Sequence, residues 1–133
     1  MTDATKRNRA TALAFLDGFA TRDPQQFLPM LSDDPTWRVF HSERRGREAI
    51  AALAETAGKL YPHGTSRRIQ STLAEGSRVV VQSVLTAITN AGHDYENYYV
   101  MVFEFAPDGR IDVVWEYLNL VYARERFDFT GIQ

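Results

Sequence analysis

The segment from Asp94 to Leu120 constrains the fold more than any other. It reads D-Y-E-N-Y-Y-V-M-V-F-E-F, then A-P-D-G, then R-I-D-V-V-W-E-Y-L-N-L. Two β-rich arms around a Pro-Asp-Gly turn specify a hairpin, with Pro107 presetting the backbone and Gly109 supplying a positive φ. Alternation puts Tyr95, Asn97, Tyr99, Met101, Phe103 and Phe105 on one face of the first arm. Glu96, Tyr98, Val100, Val102 and Glu104 take the other. Both faces are largely apolar, so both require cover. Glu116 is a single carboxylate in an otherwise apolar second arm, and Val114 and Leu118 share its side. A few polar groups on an apolar concave wall are the signature of a small-molecule pocket.

The rest of the chain supplies the cover. Asp3 to Thr21 carries Ala12, Phe15, Leu16 and Phe19 at helical spacing. Asp23 and Pro24 are the N-cap and first position of a second, short helix with Phe27, Leu28 and Leu31 on its apolar side, ended by Asp33-Asp34-Pro35. Thr36 to His41 alternates as a short strand with Trp37, Val39 and His41 on one face, and Ser42 to Gly46 reads as a charged loop. Arg47 to Leu60 has the stripe Ile50, Leu53, Ala54, Ala57, Leu60 of a third helix. Ser66–Ala74 and Arg78–Thr89 are further strands, Tyr122–Phe127 is a helical turn, and residues 128–133 form a tail. Three N-terminal helices followed by a meander define an α+β fold with a mostly antiparallel sheet, in one domain over residues 1–133.

Composition narrows the function. The 133-residue chain is 44% hydrophobic, enough for a substantial core, and its net charge of −2 offers nothing to nucleic acid. The basic cluster Arg44, Arg45, Arg47 is interleaved with Glu43 and Glu48 and reads as a solvated loop and helix start. No cysteine is present, so disulfides and thiol chemistry are excluded. No apolar run reaches the ~20 residues of a membrane span, and the polar start M-T-D-A-T-K-R-N-R has no signal-peptide character. A cytoplasmic protein without membrane association is the expectation.

The pattern Y-x-N-x-Y…F-x-F…D-G-R-I…W-E-Y-L-N, with this element order, resembles the SnoaL-like branch of the nuclear transport factor 2-like superfamily. The resemblance covers nearly the whole chain. It implies a cone-shaped α+β barrel, a curved sheet wrapped over helices with a pocket inside. The nearest local similarity is to the phenazine-biosynthesis A/B group, over Glu96-Asn97, Tyr99, Phe103-Glu104, Gly109-Arg110-Ile111 and Glu116-Tyr117-Leu118-Asn119. In that group an acid at the position of Glu116 gives and takes a proton; the position of its partner histidine falls near Ser66 or Arg67. The groups used by ketosteroid isomerases fall on Phe15, Val39 and Met101, so true ketosteroid isomerisation is not expected. The Arg-x-Asp of limonene epoxide hydrolases falls on Asn97-x-Tyr99.

Glu116 is therefore the main catalytic candidate, because desolvation on an apolar wall raises a carboxyl pKa toward the range useful for acid–base work. The bland alternative is a carboxylate held in a structural hydrogen bond or ion pair. His41, on the face of Trp37 and Val39, is a second candidate, against a plain exposed strand end. Tyr95, Asn97 and Tyr99 would orient a polar group of the ligand, or form a satisfied buried ladder. Phe15, Phe19, Trp37, Val39 and Met101, with Val114 and Leu118, would form the wall. His63 and His93 fall in turns, the histidines lack metal-ligand spacing, and Asp17 and Arg38 read as surface charges. No phosphate loop, dinucleotide fingerprint or nucleophile elbow occurs. The expectation is a cofactor-independent isomerase, cyclase, dehydratase or hydrolase acting on a small hydrophobic or aromatic molecule, against a non-catalytic binding or interaction module. The outward residues Tyr98, Val100, Val102, Val113, Trp115 and Tyr117 form a patch larger than monomers usually expose, which predicts a homodimer.

Overall fold

A computed structural model describes residues 2–132; Met1 and Gln133, the outermost residues of the expected domain and tail, lie outside the described residues. The architecture is α+β, a curved six-stranded sheet with helices on its concave face. Helix α1 (Asp3–Ala20) starts where the Thr2 hydroxyl accepts the Thr5 N–H at 3.1 Å, satisfying a free first-turn donor. It ends at Arg22, a non-glycine residue in the left-handed region (φ 65°). The expected second α-helix is instead two 3₁₀ turns, Pro24–Gln26 and Leu28–Met30. Asp23 does cap the first, accepting the Gln25 N–H at 3.0 Å. A second proline at position 29 leaves no room for a regular α-helix.

Strand β1 (Leu31–Val39) starts earlier than its alternation suggests, because Pro35 sits where the register slips between Leu31 and Thr36. The residues read as a charged loop form a strand, β2 (Ser42–Arg45), paired antiparallel to β1. Helix α2 spans Arg47–Leu60 as expected. Arg47 is more than a solvated charge: its guanidinium donates to the Leu31 and Ser32 carbonyls at 2.8 and 3.1 Å and ties α2 to β1.

β3 (Ser66–Glu75), β4 (Arg78–Ile88), β5 (Asp94–Phe105) and β6 (Ile111–Tyr117) form the meander, followed by α3 (Leu120–Arg126). The sheet order is β2-β1-β6-β5-β4-β3. Only β1 and β6 pair in parallel, and this pairing places Trp37 beside Val114 and Val39 beside Glu116. The central hairpin turns as its residues require: the Gly109 N–H reaches the Ala106 carbonyl at 2.9 Å, with Gly109 at φ 88°.

The face parity of β5 holds. Tyr95, Asn97, Tyr99, Met101, Phe103 and Phe105 are all buried. The outward face is not covered within the chain: Tyr98 is 58% and Tyr117 40% exposed. Helix α1 packs across β3 and β4, α2 against β1 and β2, and α3 against β5. The narrow end of the cone is solid. Phe15 is its hub, with the rings of Phe27, Trp37 and Phe103 centred within 6.0 Å of its own.

Candidate functional site

Beyond Phe15 the cone opens into a cavity of about 450 Å³, within the usual range for small-molecule sites. Its wall is largely apolar. The end of α1 gives Leu16 and Phe19, β1 gives Trp37 and Val39, α2 gives Leu53, Ala57 and Leu60, and the sheet gives Leu85 and Met101. The C-terminal segment closes one side with Ala123, Phe127 and Phe129. Phe127 packs edge-on to Tyr61 at 5.2 Å and against Tyr95 at 5.2 Å.

Glu116 lines this cavity and is half-buried. What surface it retains opens onto the cavity. The Trp37 indole Nε1–H donates to Oε1 of Glu116 at 2.9 Å, a bond made possible by the parallel β1–β6 register. Desolvation pushes the Glu116 pKa above the ordinary carboxylate value; the Trp37 hydrogen bond and the positive charge of Arg67 oppose it without cancelling it.

Arg67 is the residue that sequence reasoning left unresolved beside Ser66. Its pairing opposite Leu85 turns it inward, where Nη1 donates to the buried Ser83 hydroxyl at 2.6 Å and the guanidinium lies 5.2 Å from the centre of the Tyr99 ring. Burial lowers its pKa, and Glu116 is the strongest charge opposing that effect. Tyr61 and Arg22, also missed, line the same cavity; the Arg22 guanidinium lies 5.3 and 5.7 Å from the rings of Phe19 and Tyr61. Burial pushes the hydroxyls of Tyr61 and Tyr99 well above the usual phenol value, so both stay protonated donors.

Tyr95 and Tyr99 meet hydroxyl to hydroxyl at 2.6 Å, and the Asn97 Nδ2 donates to the Tyr95 oxygen at 2.9 Å. Asn97 itself does not line the cavity. Its amide also donates to the Asn119 carbonyl at 3.0 Å, while its oxygen accepts the N–H groups of Tyr98 and Asn119. It is a structural clamp between β5 and the chain after β6.

Of the residues expected at the site, Phe19, Trp37, Val39, Tyr95, Tyr99, Met101, Glu116 and Leu118 do converge on the cavity. Phe15 and Val114 are fully buried core residues behind the wall. His41 is not brought in: β1 ends at Val39, and the chain turns at Phe40 (φ 53°), which leaves His41 exposed in the turn before β2. His63 and His93 are exposed as expected. Asp17 lines the cavity from an exposed position on α1. Among the described residues no cluster of His, Cys, Asp and Glu could hold a metal ion, and no helix is long and apolar enough to cross a membrane.

The same architecture occurs in solved structures of low sequence identity. A candidate SnoaL-like polyketide cyclase from Jannaschia sp. CCS1 superposes with a TM-score of 0.85 at 17% identity, over 95% of this chain and 94% of that one. Bal32a, from a soil-derived mobile gene cassette, gives 0.83 at 20%, over 95% and 100%. An epoxide hydrolase of LEH-like type from M. tuberculosis gives 0.75 at 23%, over 91% and 89%. At these identities the likeness is one of fold. No curated protein matches the sequence significantly. The family model for the SnoaL-like domain matches residues 12–114, most of the chain, and the protein belongs to the SnoaL-like domain family.

Proposed function

We propose that the protein binds a small, largely hydrophobic molecule in the cone and catalyses a cofactor-independent proton transfer on it, with Glu116 as general acid and base. One observation carries this reading: a carboxyl with a raised pKa on the wall of an apolar cavity, oriented by the Trp37 indole. A carboxylate so placed takes a proton from an activated carbon or from water, and the neutral acid returns it, with no redox change and no cofactor. Tyr99 and Arg67 are the donors beside it that can hold a polar group of the bound molecule. Isomerisation, cyclisation, dehydration and hydrolysis all fit that cycle.

The competing reading is a non-catalytic binding or interaction module. It is favoured by the lack of a second buried carboxyl or histidine beside Glu116 among the described residues lining the cavity. A panel of cyclic enones, β-keto esters and apolar epoxides separates the two, followed by NMR in D₂O for deuterium incorporation and product. Turnover or exchange lost in Glu116→Gln is the expected result. Binding without turnover or exchange across the panel would select the non-catalytic module.

The outer sheet face supports a homodimer as part of the same reading. Tyr98 and Tyr117 are exposed there beside the half-buried Val100, Val102, Val113 and Trp115. Phe40 extends the patch, its ring edge-on to Tyr117 at 5.7 Å.

A further inference from the structure

The charges around the cavity are unbalanced. Arg22, Arg67 and Arg124 line it, against Asp17 and Glu116. Arg124 and Asp17 are exposed, whereas Arg22 and Arg67 are half-buried, and the charge of Arg67 adds to the burial that disfavours the charge of Arg22. None of the ion pairs among the described residues uses either of these two. Two like charges facing a low-dielectric space cost folding free energy unless an anion joins them.

Both arginines are held deliberately. Arg67 is fixed by Ser83 and by the face of Tyr99, and among the described residues the other N–H groups of its fork have no hydrogen-bond acceptor. Arg22 occupies a left-handed backbone position (φ 65°) where glycine would be free of strain. It keeps its side chain between Phe19 and Tyr61, with one N–H on the Phe19 carbonyl at 3.2 Å. The hydroxyl pair adds a further donor. Tyr95 already accepts from Asn97, and whichever phenol donates across the 2.6 Å contact, the other keeps a proton to give.

We propose that the ligand is an apolar carboxylic acid, its carboxylate bound by Arg67 and the Tyr95–Tyr99 hydroxyl pair under the added attraction of Arg22, its apolar body lying against Phe19, Trp37 and Phe127. This rests on the reading of the cavity as a small-molecule site and adds the chemical class of the molecule. Glu116 does not oppose the anion while it is protonated, the form that its burial favours.

The test is calorimetric titration of the full chain at neutral pH with 2-naphthoate and with 2-naphthamide, which share a body and differ in charge. A hydrogen-bonded charge contact of this kind is worth about 10- to 100-fold in affinity. The acid is expected to bind that much more tightly than the amide, and the ratio is expected to fall to near one in Arg67→Gln. Arg22→Gly relieves the backbone strain, which offsets the lost side-chain contacts; it is expected to lower the ratio several-fold, which keeps the proposal open to refutation if Arg67→Gln does not fold. Equal binding of acid and amide, or a ratio that neither substitution changes, overturns the carboxylic acid and leaves the small-molecule cavity standing. Binding of neither compound overturns the proposal, while the turnover assay of Glu116→Gln judges the cavity's function separately.

Discussion

Trp37 and Glu116 lie 79 positions apart in the chain and are joined by a single 2.9 Å hydrogen bond, indole to carboxylate. The bond and the surrounding apolar wall act in opposite senses on one proton: the bond favours the carboxylate and the wall favours the neutral acid.

Replacing Glu116 by Gln keeps the Trp37 hydrogen bond through the amide oxygen and removes the titration. Turnover of a substrate found in the panel is expected to fall by about 10²–10⁴-fold, the usual contribution of a general acid–base group. Thermal denaturation at neutral pH is expected to show a gain of about 0.5–2 kcal/mol, the common trade of function for stability. Unchanged turnover would take Glu116 out of the mechanism.

The same residue gives stability a pH dependence of fixed sign. Its native pKa lies above the ordinary value, so between the two the folded protein keeps a proton that the unfolded chain has released. Stability then falls as pH rises through that window and is unaffected by Glu116 below it. Urea midpoints measured across this range should decline in the wild type more than in Glu116→Gln; parallel curves for the two proteins would contradict the assignment.

Trp37→Phe removes the donor and retains an aromatic ring against Phe15 and Phe19. The indole hydrogen bond favours the ionised carboxylate, so without it the Glu116 pKa should rise further. Carboxyl-detected NMR reads the value directly. No change would mean that the indole does not favour the ionised form.

Asn97→Ala should act on the fold and not on the ligand. It breaks the bonds to Tyr95, Tyr98 and Asn119 at a buried position, at a cost of about 1–3 kcal/mol. Denaturant unfolding is the measure, and a fully stable variant with weakened ligand binding would return Asn97 to the site.

Gly18→Ala tests the close packing of α1 against the 3₁₀ turn Pro24–Gln26. Alanine normally gains about 0.5–1 kcal/mol over glycine within a helix. Here its Cβ would stand 2.2 Å from the Gln26 carbonyl oxygen, which is backbone and cannot swing away. A loss of about 1–3 kcal/mol in thermal stability is expected.

The proposed dimer predicts a particle of twice the 15.1 kDa chain mass by light scattering at micromolar concentration. Tyr98→Asp, on the exposed outer face, should return it to monomer with the cavity intact. A monomeric wild type would leave this face without a partner.

Much of this was legible in the sequence because it is local. Alternation along β5 and β6 sorts Tyr99 and Glu116 inward from Tyr98 and Tyr117, and the turn residues around Gly109 set the hairpin. His41 was misplaced because alternation was carried past the true end of β1, where Phe40 takes a left-handed backbone. β2 looked like a loop because Ser42-Glu43-Arg44-Arg45 is a charged edge strand, and edges carry charge against misassociation. Arg67 could not be chosen over Ser66 because a register shift between Ile69 and Ser71 breaks the parity of β3. The partnership of Trp37 with Glu116 was hidden altogether, since it follows from a parallel pairing that nothing local encodes.

That parallel pairing also orders events during synthesis. β2 follows β1 at once, so the β1–β2 hairpin can close early and its charged strand shields one edge of β1. The other edge has no partner until Ile111–Tyr117 emerges, after most of the chain has been made. Until then Leu31 and Trp37 stand on an open strand edge, the kind of surface on which nascent chains associate wrongly. Long-range closure of this sort is slow. The last step of folding is thus expected to be the one that brings Trp37 to Glu116, and a chain released before β6 should have helices and a hairpin but no interior in which to hold a proton.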